Sequence, residues 1–156
     1  MVKVSIPNLL AELKSLKYDA KVQEETNQVF FIFKHEKREF PLFIRLIHDG
    51  ELVQMLTFLP TQVKKEQFSD VARFLHIVNK ELDVPGFCID ETSSTVFYRL
   101  IIPTVKKELD KEIFEALLNT SQVVCKTFSP PVEAMAQGLM TLEAVLKKAE
   151  EAKAAI

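Results

Sequence analysis

The stretch REFPLFIRLIHDGELVQMLTFLP, Arg38 to Pro60, decides the fold of this 156-residue chain. Within it, the apolar runs Phe40 to Ile47 and Leu52 to Leu59 flank the tripeptide His48-Asp49-Gly50. Asp-Gly between two apolar runs is a strong hairpin signal, because both residues tolerate the positive φ that a tight turn requires. We therefore predict two antiparallel strands joined by this turn.

The second strand of this hairpin is apolar on both of its sides. Alternate side chains of a strand point to opposite faces of the sheet. A strand with two apolar sides is typical of the centre of a sheet, where both faces are covered. We predict that a helix lies over each face, or that a partner covers one of them. The two sets of side chains are Leu52, Gln54, Leu56 and Phe58 on one side, and Val53, Met55, Thr57 and Leu59 on the other.

The segments on either side extend the sheet. Upstream, the turn signal Thr26-Asn27 precedes a β-branched and aromatic run from Val29 to Phe33, which predicts a first hairpin. Downstream, VPGFCIDETSSTVFYRLIIP, Val84 to Pro103, alternates with period two on both sides of the polar cluster Asp90 to Thr95. We predict a third hairpin there, whose acidic and hydroxyl side chains bond to local backbone in the turn.

Helices are predicted around these strands. Leucines at helical spacing follow Pro7, a second amphipathic stripe runs from Phe68 to Leu82, and the last third carries two more stripes. We predict a sharp break between those two at Ser129 to Pro131, because proline interrupts a helix. The fold class is therefore α+β, an antiparallel sheet flanked by helices in the order α-β-β-β-β-α-β-β-α-α. We predict one domain over residues 1–156, with a C-terminal helical extension at about 131–156.

Composition excludes several classes of function. With 20 basic and 22 acidic side chains the net charge is -2, so the chain has no field that would collect nucleic acid. No window approaches the roughly 20 apolar residues that span a bilayer, and charges interrupt the N-terminal apolar segment. Cys88 and Cys125 lie far apart, which is typical of buried free thiols in a reducing compartment. We expect a cytoplasmic protein without nucleic-acid binding or membrane insertion.

The sequence contains no motif of a catalytic, cofactor or metal site. Only three glycines are present, too few for a phosphate-binding loop, and the stretch after His35 lacks the second histidine of a zinc motif. Cys88 and Asp90 share one side of a strand, but no histidine is near them in sequence. We therefore predict a protein that is not an enzyme and has no cofactor. The alternative is a small ligand-binding domain or enzyme that uses Cys88, His76 or an acidic pair.

An excess of apolar side chains is the most informative feature that remains. The chain has twelve phenylalanines and no tryptophan, several of them on strands with two apolar sides. Core packing accounts for them most simply, a homodimer interface is the next candidate, and a groove for a partner peptide follows. Our hypothesis is a protein-interaction module, dimeric, that binds a polypeptide through its sheet or a helix-lined groove. The predicted partner-binding residues are Phe43, Met55, Phe58, Phe97 and Leu139.

One long stretch resembles a known family. RFLHIVNKELDVPGFCIDETSSTVFYRLIIP contains Asn79 near a helix end, a Pro-Gly connection, an F-x-I-D strand and a V-F-Y-R strand, in the order found in the bacterial YbjN-like family, also called sensory transduction regulators. A weaker similarity extends over FEALLNTSQVVCKTFSPPVEAM. The resemblance implies the architecture of type III secretion chaperones, which commonly dimerise and hold partner segments against apolar surfaces. It implies a chaperone-like or regulatory role and supplies no catalytic residue. The missing tryptophan and the alanine-rich C-terminal helix depart from the family and leave the mode of assembly open.

Overall fold

The protein is an α+β fold, and its structure, a computed structural model, describes residues 1–154. Apart from two short strands that pair with each other, the elements follow the predicted order. The helices are α1 (Ile6–Ser15), α2 (Phe68–Glu81), α3 (Lys111–Ala136) and α4 (Leu142–Ala154). The strands are β1 (Val2–Lys3), β2 (Lys21–Gln23), β3 (Gln28–His35), β4 (Arg38–Ile47), β5 (Leu52–Gln62), β6 (Phe87–Asp90), β7 (Thr95–Pro103) and β8 (Glu108–Leu109).

Six strands form one antiparallel sheet in the order β2-β3-β4-β5-β7-β6. The hairpin of Arg38 to Pro60 supplies β4 and β5, and β5 pairs with β4 on one side and β7 on the other. The strand with two apolar sides therefore lies inside the sheet, as predicted. The short pair β1 and β8 joins the N-terminus to the segment before α3.

The helices cover one face of the sheet. α1 packs against β3, α3 packs against β5 and β7, and α2 lies beside the edge strand β6. Buried side chains of all four helices belong to a single apolar cluster with the strand side chains of this face. No helix in residues 1–154 packs over the opposite face. The first alternative, a helix on each face, is therefore wrong, and cover of this face by a partner stays a prediction. We call the uncovered side the open face; it contains the alternate strand residues Phe30, Phe43, Leu56, Phe58, Phe97 and Arg99.

The predicted hairpin turns are confirmed. His48, Asp49 and Gly50 have φ of 52°, 53° and 88°, the positive values that an Asp-Gly turn requires. Between β6 and β7, the Asp90 carboxylate accepts a 2.9 Å hydrogen bond from the Thr92 N–H. The polar cluster of that segment therefore closes a turn, as its spacing indicates.

The predicted helix break at Ser129 to Pro131 is wrong. α3 runs without interruption from Lys111 to Ala136 and contains both Pro130 and Pro131. Each proline removes one backbone hydrogen bond, which ordinarily kinks or ends a helix. Here the residues on both sides of the prolines are completely buried in the core, namely Ser129, Val132, Met135 and Ala136. Burial of this face offsets the lost hydrogen bonds, so the helix continues.

α3 ends instead at Ala136, and Gly138 lies just after the helix end. This glycine has a φ of 73°, and the Leu139 N–H donates to the Ala134 carbonyl at 2.8 Å, which is the Schellman arrangement at a helix end. The next helix begins after Thr141, whose hydroxyl accepts a 3.1 Å hydrogen bond from the Ala144 N–H. The C-terminal helix is therefore α4, Leu142–Ala154, rather than a segment that begins near residue 131.

A side chain of α2 satisfies the backbone of the edge strand β6. The Asn79 amide accepts a 2.7 Å hydrogen bond from the Phe87 N–H and donates a 2.9 Å bond to the Phe87 carbonyl. Gly86, the residue before Phe87, exchanges both of its backbone hydrogen bonds with Arg99 of β7. Because hydrogen-bonded and non-hydrogen-bonded pairs alternate in an antiparallel sheet, the N–H and carbonyl of Phe87 point away from β7. A Cβ at Gly86 would lie 2.9 Å from the Asn79 Oδ1 atom, so glycine permits this close approach.

Candidate partner-binding surface

A row of four phenylalanines crosses the open face. Phe30, Phe43, Phe58 and Phe97 come from four neighbouring strands, β3, β4, β5 and β7. Ring centroids are 5.6 Å apart for Phe30 and Phe43, 5.8 Å for Phe43 and Phe58, and 6.0 Å for Phe58 and Phe97. These separations are typical of interacting aromatic pairs. We call these four residues the aromatic row.

The aromatic row lies in a wider apolar area. Leu56 of β5 pairs with Phe43 of β4 on one side and with Arg99 of β7 on the other. Two further apolar side chains of this face, Ile32 and Ile101, are 50% and 40% exposed. The rings themselves are half-buried, because they pack mainly against one another. An apolar area of this kind on a folded chain is typical of an interaction site.

The structure brings together three of the five residues that were predicted to bind a partner. Phe43, Phe58 and Phe97 are neighbours in the aromatic row. Met55 points to the opposite side of β5 and is completely buried under α3, so it cannot contact a partner in the folded state. Leu139 is 79% exposed, but it lies in the turn between α3 and α4 and not on the sheet.

Several residues of this surface are not among the five that the sequence predicts to bind a partner. Phe30 and Leu56 both pair with Phe43 across neighbouring strands, so they lie on the same face of the sheet as Phe43. Alternation along each strand predicts this position once the pairing is known. Arg45 and Gln54 were missed because they are polar and lie between apolar neighbours. In the structure they pair directly across β4 and β5.

The open face is basic although the chain as a whole is slightly acidic. Lys34 forms a 3.3 Å ion pair with Glu39 at one end of β3 and β4. Neither Arg45 nor Arg99 forms an ion pair with any carboxylate in the described part of the chain. The charged side chains of this face are Lys21, Lys34, Arg45 and Arg99 against Glu39 and Asp90.

A second concave surface lies between α2, α3 and α4. It is a groove of about 670 Å³ whose walls are mainly apolar. The charged residues Glu81, Lys148 and Glu150 also line it. This groove is the helix-lined alternative to the open face. Its apolar lining includes Phe74, Ile77, Val78, Phe128, Pro131, Met140, Val145 and Leu146.

Two residues of the catalytic alternative, Cys88 and His76, meet at the edge of the sheet without an acidic residue of the described part of the chain beside them. Cys88, His76 and Asn79 line one shallow depression of about 230 Å³ beside β6. No hydrogen bond joins Cys88 to His76 in residues 1–154, and both ends of the Asn79 amide are engaged by Phe87. A cysteine nucleophile requires a base within hydrogen-bond reach. This arrangement therefore lacks the contact that would activate Cys88.

The other cysteine is enclosed by the core. Cys125 is completely buried, and loss of solvent raises the pKa of its thiol. Burial also raises the pKa of the neighbouring Tyr98 to about 12, and the Tyr98 hydroxyl donates a hydrogen bond to the Val84 carbonyl. Both groups stay protonated at neutral pH, as structural core residues do.

No group of three or more His, Cys, Asp and Glu side chains within residues 1–154 is placed to hold a metal ion. Of the helices described, none combines the length and the apolar character needed to cross a membrane.

Comparison with known proteins identifies the family. A family model described as "Putative bacterial sensory transduction regulator", YbjN, matches residues 6–134. The chain belongs to the YbjN family. No curated protein sequence matches this YbjN-family chain. The residues that carry the resemblance in sequence, from Arg73 to Pro103, lie within the matched segment.

Two solved structures share the fold. YbjN from E. coli, described as "a putative transcription regulator", superposes with a TM-score of 0.60 at 11% identity, over 95% of this chain and 96% of that chain. ExsC in the ExsC-ExsE complex superposes with a TM-score of 0.58 at 18% identity, over 80% of this chain and 91% of that chain. At these identities the likeness shows the fold alone. The YbjN-family chain therefore shares its α+β fold with both proteins.

Proposed function

We propose that this YbjN-family protein is a non-enzymatic, cytoplasmic protein-binding module with a chaperone-like or regulatory role. The observation that carries the proposal is the open face, where the aromatic row and its apolar neighbours lie uncovered on the central strands. A folded domain gains nothing in its own stability from exposing such an area, and similar patches on other proteins mark interaction sites. The partner-binding residues that we propose are Phe43, Phe58 and Phe97, with Phe30 and Leu56 added from the structure.

The comparisons support this role and no particular partner. ExsC was crystallised in a complex with ExsE, so one protein of this fold forms a complex with another polypeptide. The open face is preferred over the helix-lined groove because four aromatic side chains form a continuous row there, and aromatic residues are enriched at protein interfaces.

We also propose that the protein is a dimer in solution. Two copies that met through their open faces would bring together two surfaces that each have more basic than acidic side chains. Like charges at an interface are unfavourable, so this face is a poor homodimer interface. A dimer formed through another surface leaves the open face free for a partner.

The experiment is affinity capture from native lysate followed by mass spectrometry, with light scattering of the purified protein. We expect recovery of a specific polypeptide in amounts comparable to the bait, and a scattering mass of two chains. A strict monomer over micromolar concentrations, together with no recovered partner, would contradict the proposal. Small-molecule turnover that is lost in a Cys88→Ser variant would favour the enzyme alternative instead.

A further inference from the structure

Gln54 lies near the start of β5 on the open face, and the residue as a whole is only 5% exposed. Its side-chain amide forms no hydrogen bond with another residue of the described part of the chain, and it faces a depression of about 330 Å³. The depression is lined by both polar and apolar side chains, namely Gln23, Gln28, Phe43, Arg45, Gln54, Leu56 and Phe58. The Gln54 amide therefore has a donor and an acceptor available to a group that enters the depression.

Arg45 lines the same depression and supplies a positive charge. It is the cross-strand neighbour of Gln54, so the two side chains start from adjacent positions on β4 and β5. No carboxylate of residues 1–154 pairs with its guanidinium. Arginine binds carboxylates through two parallel hydrogen bonds, a geometry that lysine cannot provide. The charge is therefore available to an acidic group that enters the depression.

The chemistry of the depression favours a group with a single negative charge. A phosphate group carries close to two charges and ordinarily engages several cationic or backbone donors. Here one guanidinium lies among uncharged glutamine, phenylalanine and leucine side chains, which matches the single charge of an aspartate or glutamate. A second copy of the chain is disfavoured as the occupant, since its open face also has more basic than acidic side chains.

We propose that this depression binds an acidic side chain of the partner polypeptide. Arg45 pairs with the carboxylate, Gln54 hydrogen-bonds the main chain beside it, and the flanking apolar side chains of the partner pack on Phe43, Leu56 and Phe58. The inference rests on the proposed function, because it names the chemistry of the segment that the open face takes.

The test is selection from a library of random displayed peptides on the wild-type protein. We expect the selected peptides to be enriched in aspartate and glutamate flanked by apolar residues. In an Arg45→Gln variant this enrichment disappears, whereas an Arg73→Gln variant, which removes an exposed arginine of α2, retains it. Arg45 is exposed, so its substitution leaves the fold intact.

A double-mutant cycle then locates the contact. For one selected peptide, both Arg45→Gln in the protein and replacement of the peptide acid by its amide weaken binding about tenfold or more, as expected for a charge-assisted pair. Combining the two changes gives no further loss, because they remove the same contact. A Gln54→Leu variant, which has a similar volume, also weakens binding.

Several outcomes would overturn the inference. Selected peptides without an excess of aspartate and glutamate would show that the depression does not bind a carboxylate. An excess of these residues that persists in the Arg45→Gln variant would show the same. Tighter binding of a phosphoserine peptide or of an RNA oligonucleotide through Arg45 would assign the site to phosphate. Failure to select any peptide, together with failure of affinity capture, would count against the proposed function itself.

Discussion

Replacing Met55 by glutamate is expected to unfold the protein, whereas replacing its neighbour Leu56 by glutamate leaves it folded. Met55 is completely buried under α3, and Leu56 lies on the open face. A glutamate at position 55 loses the packing of the methionine, about 2–5 kcal/mol, and adds the cost of a buried unpaired charge. The sum is comparable to the roughly 5–15 kcal/mol that stabilise an ordinary domain.

The effect at position 56 is expected to stay within about 1 kcal/mol, because a half-exposed glutamate keeps its contact with water. Urea denaturation followed by circular dichroism measures both variants, and Met55→Leu, which conserves volume, is the control, with an expected loss below about 1.5 kcal/mol. Two folded glutamate variants, or an unfolded Leu56→Glu, would mean that the two faces of β5 are assigned incorrectly.

Asn79→Ala is expected to cost about 3 kcal/mol of unfolding free energy. The substitution leaves the Phe87 N–H and carbonyl without partners at the edge of the sheet, and each unsatisfied buried group costs about 1–3 kcal/mol. The same change leaves the outer edge of β6, the side away from β7, without its hydrogen-bond partner, which favours aggregation. Urea denaturation measures the loss, and hydrogen exchange at the Phe87 amide is expected to accelerate.

The matched control is Asn119→Ala, an exposed asparagine of α3 whose removal is expected to change stability by less than about 0.5 kcal/mol. An Asn79→Ala variant as stable as this control would show that water replaces the asparagine at the strand edge without cost.

The fold could be predicted because its signals are local. Period-two alternation and the Asp-Gly turn depend on residues close in sequence, and both are reproduced in β4 and β5. The end of α3 could not be predicted in the same way. Proline chemistry favours a break at Pro130, but tertiary burial of Val132 and Met135 outweighs it, and that burial depends on residues far away in sequence.

The binding surface was only partly predictable for a related reason. Alternation separates the two sides of β5, but residue type does not reveal which side the helices cover when both are apolar. Met55 was therefore grouped with Phe58, although they lie on opposite faces. The roles of Gln54 and Asn79 were harder to predict from the sequence. The role of Gln54 depends on Arg45 across the sheet, and that of Asn79 depends on the backbone of Phe87 at the sheet edge.

The central claim is that the open face holds the partner, and one comparison of affinities tests it most directly. The partner recovered by affinity capture is titrated against the wild type and two variants, Phe58→Asp in the aromatic row and Val123→Asp on α3. Val123 is an apolar residue that is 52% exposed on the helical side, so the two variants differ mainly in location. We predict that Phe58→Asp weakens binding by about a hundredfold or more, as loss of a central aromatic contact does, with Val123→Asp unchanged. Equal affinities for the wild type and Phe58→Asp, or a loss confined to Val123→Asp, would contradict the account.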